Sequence, residues 1–333
     1  MSNGRVVPIE HARSAERPRC VARTADGRPC RNLADETGYC RRHRPVADAE
    51  QHDQTPTAIQ QFLEDALAFA RRRVTGDYPI DDFGFDRDLT ENVLLKILQP
   101  LFDRWFRVDQ TGIENIPAAG SCLLVSNHSG TVPVDSLMMK YGVFEATGRH
   151  VRLLGADLVF QMPVISELGR KSGSTLACEE DTTRLLRSGE CVGVFPEGFK
   201  GVGKPFRERY KLQRFGRGGF VEVAIRSGAP IIPVAIVGAE EIFPIMYNFK
   251  PLARLLGFPY FPITPTFPWL GALGAIPLPS KWIIEYGEPI ETSHIDPEAA
   301  SDPMFVFNLT DQVRDAIQQT LYKNLMHRRS VFF

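Results

Sequence analysis

Residues 122–135 read "CLLVSNHSGTVPVD": a short buried-looking run ends on the polar pair Asn127-His128, and Asp135 opens the helical pattern "DSLMMKYG". Apolar run, polar loop and helix start together make one strand-loop-helix unit. The unit recurs along the chain. Apolar runs at 122–126, 151–155, 191–195, 231–237 and 282–286 alternate with helical periodicity at 135–141, 179–187, 219–226 and 311–325. Runs without polar alternation belong to strands covered on both faces. Their alternation with helices predicts an α/β fold, a mixed sheet flanked by helices. The chemistry of such a fold is expected in the loops that follow strands.

The chain has 333 residues, 43% of them hydrophobic, enough for a large core and for one or two domains. Its 39 basic and 40 acidic residues nearly cancel, so no global field points to nucleic acid, which is not expected as a partner. The charge is uneven, however. Residues 1–45 carry ten arginines against five acids, and residues 46–91 carry eleven acids against four arginines. We expect residues 1–19 to be disordered, 20–45 to form a small Cys/His arm, 46–57 to be a linker, and 58–107 to be a membrane-proximal segment of amphipathic helices. The main domain is expected over 108–333.

In the arm the spacing is Cys20-x9-Cys30-x9-Cys40-x2-His43. Three thiolates and an imidazole make a complete tetrahedral set for a structural zinc; the alternative is a basic arm with spare thiols. The segment resembles small Cys-Cys-Cys-His zinc knuckles, over about 24 residues. Cys122, Cys178 and Cys191 lie in or beside apolar runs and read as small buried hydrophobes. The opening "MSNGRVVPIEHARSAERP" has no apolar run of the secretory kind. The expected location is cytoplasmic, with reduced thiols.

Val93, Leu94, Ile97, Leu98, Leu101, Phe102, Trp105 and Phe106 form one apolar helix face, with a kink expected near Pro100. Such a face either packs on the core or lies on a membrane surface. Residues 255–280 contain no charge and six prolines, four of them every third residue from Pro259 to Pro268. That pattern excludes a spanning helix and predicts an extended, polyproline-like segment.

His128 and Asp135 have the chemistry of a general-base pair, in which an imidazole takes a proton and a carboxylate fixes its tautomer. Asp135 also suits a helix N-cap. A second loop follows the run at 191–195: Pro196-Glu197-Gly198, then seven basic residues and one acid between positions 200 and 217. Lys200, Lys204 and Arg209 are candidate contacts to a phosphorylated ligand. A third signal, "GAPIIPVAIVGAEE", places Pro233 inside an apolar strand.

In this order "NHSGTVPVD", "VFPEGFKG" and "APIIPVAIVG" resemble the first, third and fourth blocks of the phospholipid/glycerol acyltransferase superfamily, the PlsC-like domain. The resemblance runs over about residues 105–330. "PTFPWLGALGAIPLPSKW" is similar to a bacterial lysophospholipid acyltransferase subgroup, with some likeness to diacylglycerol-acyltransferase-like enzymes. The resemblance implies a glycerolipid acyltransferase-like fold. It implies acyl transfer from acyl-CoA or acyl-carrier protein to a hydroxyl of a glycerolipid, in phospholipid metabolism at the inner face of a membrane. His128 would be the general base and Asp135 its partner. Asn127, Ser129, Gly130, Glu197, Gly198 and Pro233 would belong to the substrate-binding blocks, and backbone N–H groups near Ser129 would stabilise the oxyanion. No cofactor is implied for the chemistry.

The chain departs from the family twice. Six residues separate His128 from Asp135 where four are usual, a spacing the subgroup shares. "ELGRKSGSTLACEED" has no clear arginine at the second block, which leaves a lysophosphatidate, another lysophospholipid or a glyceride open as acceptor. The alternatives are an acyl-thioester hydrolase and a non-catalytic lipid-binding protein.

Overall fold

The computed structural model describes residues 19–24, 27–35, 37–40, 42–43, 58–129, 131–216 and 218–332. The expected disorder of the first residues, the whole of the linker and Gly130 lie outside the described residues. The chain divides into a small unit, Met1–Asp48, and a large one, Ala49–Phe333.

The large unit begins with α1 (Ala58–Thr75), whose last-turn Arg72 and Arg73 pair with Asp88 and the buried Asp86. Helices α2 (Arg87–Leu89) and α3 (Leu95–Pro100) are joined and continued by π-helical turns at Thr90–Leu94 and Leu101–Trp105. This is the helix whose apolar face had two readings. Leu95, Phe102 and Phe106 are buried. Phe102 meets Tyr141 at 4.9 Å between ring centres, and Phe106 stacks on Trp282 at 4.5 Å. Those side chains serve the core, while Ile97 and Trp105 stay exposed.

Next come β1 (Asp109–Thr111), β2 (Cys122–Ser126), α4 (Val134–Thr147), β3 (Val151–Gly155), α5 (Asp157–Gln161), α6 (Pro163–Lys171), β4 (Thr175–Leu176), α7 (Glu179–Arg187), β5 (Cys191–Val194), α8 (Phe199–Val202), α9 (Gly219–Ser227) and β6 (Ile231–Val237). A small ribbon of β7 (Tyr247–Asn248) and β8 (Pro262–Ile263) carries α10 (Lys250–Leu256) between its strands; β9 (Ile283–Tyr286) and α11 (Pro303–His327) follow. The main sheet has seven strands in the order β1-β9-β6-β2-β5-β3-β4. Every pairing is parallel except β6 with β9. The sheet is therefore mixed, as expected. The segment expected to be polyproline-like is instead divided among the end of α10, β8 and a 3-10 turn at Gly271–Ala275. Among the described residues no helix is long and apolar enough to cross a membrane.

Strand β2 sits at the centre, between β5 and β6, and all five of its residues are buried. Leu124 lies opposite Gly193 on one side and Ile232 on the other. A Cβ on Gly193 would come within 3.0 Å of Leu153 and Met139, so its bare backbone is what lets α4 settle on the sheet. Pro233 is buried within β6 opposite Val125, and its carbonyl accepts the Gly287 N–H at 2.8 Å. It is a buried sheet residue, a structural role in place of the substrate contact expected of it.

Asn127 is corrected in the same way. Its side-chain amide donates to the Ile236 carbonyl at 3.0 Å and its oxygen accepts the Ile236 N–H at 2.8 Å. The side chain does for β6 what one more backbone amide of β2 would have done. Strand β2 can therefore stop, and the chain can turn aside into the His128 loop, without stranding polar groups in the core. Asn127→Ala leaves both Ile236 groups buried and unpaired, and should lower the free energy of unfolding by about 2–4 kcal/mol in a urea titration. An unchanged midpoint would remove the clamp.

Candidate active site

The loop after β2 turns back on itself through one carboxylate. Asp135 is fully buried in the first turn of α4, one residue inside the helix, and so is not its N-cap. Its Oδ2 accepts both the His128 Nδ1–H and the Ser129 backbone N–H, each at 2.8 Å. Its Oδ1 accepts the Ser136 N–H at 2.7 Å. The helix start supplies partial positive charge to the buried anion. With Nδ1 donating to Asp135, the imidazole presents a bare Nε2. The His128 ring packs against Phe195 at 4.6 Å and keeps 15% of its side-chain surface open. The pair predicted across six intervening residues is formed. The Ser129 N–H, expected to stabilise an oxyanion, is already engaged by Asp135.

The loop after β5 holds this arrangement from the other side. Glu197 is 3% exposed; its Oε1 accepts the His128 N–H at 2.9 Å and its Oε2 the Gln213 N–H at 2.6 Å. Gly198, at φ +53°, turns the chain into α8. Gly201 then passes so close that a Cβ there would lie 2.7 Å from the His128 carbonyl oxygen and 2.8 Å from the Glu197 Cβ. Glu197 thus positions the His128 loop, with both of its oxygens engaged by backbone N–H groups, a structural role in place of the acceptor contact expected of it.

The basic loop divides in two. Lys204 is buried, 3.1 Å from Glu240 and 3.5 Å from Glu197, so it is an internal cation and not a phosphate contact. The Glu240 carboxylate also accepts the Tyr210 N–H at 2.9 Å. Burial pushes the Glu240 carboxyl up to about 7, against the pull of the Lys204 ammonium. Beyond it the Tyr210 hydroxyl donates to Glu241 at 2.8 Å, and Arg328 grips the same carboxylate through two nitrogens at 2.6 and 2.7 Å. Lys200 and Arg209 are exposed. Arg209 lies over the Phe206 ring at 4.4 Å.

A third contact arrives from the charge-free segment. The Tyr260 hydroxyl donates to the Thr131 carbonyl at 2.5 Å, and burial pushes this phenol up to about 12, so it keeps its proton. Thr131 holds φ +60° between His128 and Asp135, a strained backbone that the Tyr260 bond helps retain.

The His128–Asp135 pair that the resemblance implied thus stands at the mouth of a central parallel strand, and the Pro-Glu-Gly loop of the adjacent strand braces it. Residues 107–237 match the family model described as Acyltransferase. The chain carries a domain of the acyltransferase family over these residues. A relative from Mycobacterium tuberculosis, named an uncharacterized protein, is 48% identical over 97% of this chain and 92% of its own length. A human relative named "DGAT1/2-independent enzyme synthesizing storage lipids" is 26% identical over 66% of this chain and 62% of its own. The crystal structure of the 1-acyl-sn-glycerophosphate (LPA) acyltransferase PlsC from Thermotoga maritima is 17% identical. It superposes with a TM-score of 0.48, covering 81% of this chain and 98% of that one.

In this acyltransferase, Gly201, Gln213, Glu240 and Tyr260 were not singled out as site residues from sequence. The glycines spaced through "GFKGVG" were the readable sign of a close backbone approach.

The small unit holds its own cluster. Antiparallel bridges pair Arg19 with Leu33 and Arg23 with Pro29, and the Cys20 and Cys30 amides bond to Asn32 and Ala22. The Cys30 and Cys40 sulfurs lie 3.9 Å apart, and the His43 Nδ1 is 3.6 Å from Cys20 Sγ and 3.4 Å from Cys40 Sγ. All four donor atoms fall within 4.8 Å of one another, and the three cysteines are buried.

Proposed function

We propose that this acyltransferase moves a fatty acyl group from an acyl thioester, acyl-CoA or acyl-carrier protein, to a hydroxyl of a glycerolipid. The observation that carries the reading is the His128–Asp135 pair, with Nδ1 held by the carboxylate and Nε2 left as the base. The human relative's name, an enzyme synthesizing storage lipids, supports a lipid acceptor. The exposed Lys200 and Arg209 are the basic side chains offered to a phosphate of donor or acceptor.

The chemistry is a direct transfer. Nε2 of His128 takes the proton of the acceptor hydroxyl as its oxygen bonds to the thioester carbonyl carbon. Negative charge collects on the carbonyl oxygen, and Asp135, still ionised, stabilises the imidazolium. As the carbonyl re-forms, the C–S bond breaks and the thiolate leaves with the proton from His128. The products are an ester and a thiol, and no acyl-enzyme is formed. The enzyme would work at the inner face of a membrane, where its acceptor resides.

The test is to incubate the purified protein with labelled palmitoyl-CoA and a panel of lysophospholipids, lysophosphatidate, diacylglycerol and monoacylglycerol, then separate the lipids. Label in one acceptor class is expected, and His128→Ala should lower its rate about 10²–10⁴-fold with the fold intact. Label in free fatty acid alone would favour a hydrolase and contradict transfer.

We also propose that the small unit carries one structural zinc on Cys20, Cys30, Cys40 and His43. Tetrahedral bonds of about 2.3 Å to sulfur and 2.05 Å to nitrogen place sulfurs about 3.8 Å apart and sulfur about 3.5 Å from nitrogen. The 3.9, 3.6 and 3.4 Å separations fit that set. The metal would hold the arm's fold and take no part in the reaction. Elemental analysis should find one zinc per chain, lost in Cys30→Ser while acyl transfer continues. Zinc-free protein with the native thiols would refute the site.

A further inference from the structure

The larger unit has a lobe that the catalytic chemistry does not use. Between Glu241 and Glu285 the chain has no acid, and its charges there are Lys250, Arg254 and Lys281. Residues 246–276 of this stretch carry the β7–β8 ribbon and α10. Phe261 packs on Phe267 at 5.6 Å, and the Thr266 hydroxyl bonds to the Gly274 carbonyl. A body that buries some of its aromatics would ordinarily turn polar groups outward. This one does not: Met246, Leu255, Trp269 and Leu273 are 67%, 81%, 72% and 66% exposed, with Phe258 and Leu270 about half so. Lys250 and Arg254 are exposed beside them on α10.

We infer that this lobe is the surface by which the enzyme docks on an anionic lipid bilayer, an inference that rests on the proposed lipid acceptor. Three observations select the bilayer as occupant. Large apolar side chains with an exposed Trp and flanking cations are the composition that lies in a lipid interface, and the absence of acids over the whole stretch matches negative headgroups. A patch of this kind marks an interaction surface on a soluble body. The lobe is also wired to the site. Tyr260 bonds to Thr131 in the His128 loop, its ring seated where Gly203 has no side chain, and the Ile245 carbonyl accepts the Phe206 N–H of the basic loop. At the mouth itself Val132 and Phe199 are exposed on the two loops that build the base. The docked lobe would hold His128 near the depth of a glycerolipid hydroxyl. On this inference residues 246–276, rather than the expected 58–107, would make the membrane contact.

Flotation of the full-length protein with vesicles of phosphatidylcholine, alone or mixed with phosphatidylglycerol, tests the inference without any turnover. The native protein should float with the mixed vesicles. The Trp269→Ser/Leu270→Ser/Leu273→Ser variant should lower partitioning about tenfold or more, with an unchanged thermal midpoint. Lys250→Gln/Arg254→Gln should remove only the part that depends on phosphatidylglycerol, and Ile97→Ser should change nothing. Equal flotation of the triple variant would overturn the assignment. So would a native protein that stays off vesicles but self-associates through the lobe in analytical ultracentrifugation. Because binding is read apart from acyl transfer, vesicle binding without transfer would fault the proposed reaction and leave the docking surface standing.

Discussion

One buried carboxylate oxygen sets the geometry on which the rest of the site depends. Asp135 Oδ2 receives an imidazole N–H and a backbone N–H from consecutive residues, while Oδ1 receives the N–H of Ser136. A fully buried carboxylate is costly unless its lone pairs are met, and three donors at a helix start meet them. The chain from His128 to Asp135 must therefore close on itself in one way. The two added residues between base and acid are absorbed by that closure, with Thr131 in the left-handed region.

The closed loop is then tied to the strands on both sides of β2. Asn127 hands its amide to β6, and Glu197, just past β5, takes the His128 N–H. Three adjacent strand ends are thereby fastened at one point. Behind them Glu197, Lys204, Glu240, Tyr210, Glu241 and Arg328 form a chain of buried contacts leading to the residue after α11. Groups of this kind are strongly destabilising when one partner is removed. The "basic loop" is for this reason partly a wall of the domain, with its charge turned inward at Lys204 and outward at Lys200 and Arg209.

Much of the fold was legible in the sequence for a physical reason. Strands at 122–126 and 231–237 are almost wholly apolar runs, 151–155 is one broken only by Arg152, and each coincides with its observed span. Strand β1, Asp-Gln-Thr at the sheet edge, and β4, two residues long, have no such signature. Helix α11 begins at Pro303, eight residues before the expected start, because Asp302 caps it and Pro303 occupies its first turn; that pair of signals was readable. In the site, residue chemistry offered His128 and Asp135 as a candidate pair, and the family resemblance gave them their roles. What charge alone could not reveal was direction. Lys204 read as a phosphate contact from its charge and Glu197 as an acceptor contact from the resemblance, and only the fold shows that they face each other inside.

Asp135 holds His128 with Nε2 bare and ready to accept a proton. Long-range ¹H–¹⁵N correlation spectra of protein labelled at histidine nitrogens, recorded above the titration of the ring, test this arrangement most directly. His128 should be the Nδ1–H tautomer, and Asp135→Asn should abolish this preference. A His128 ring protonated at Nε2, or a tautomer mixture indifferent to Asp135, would contradict it.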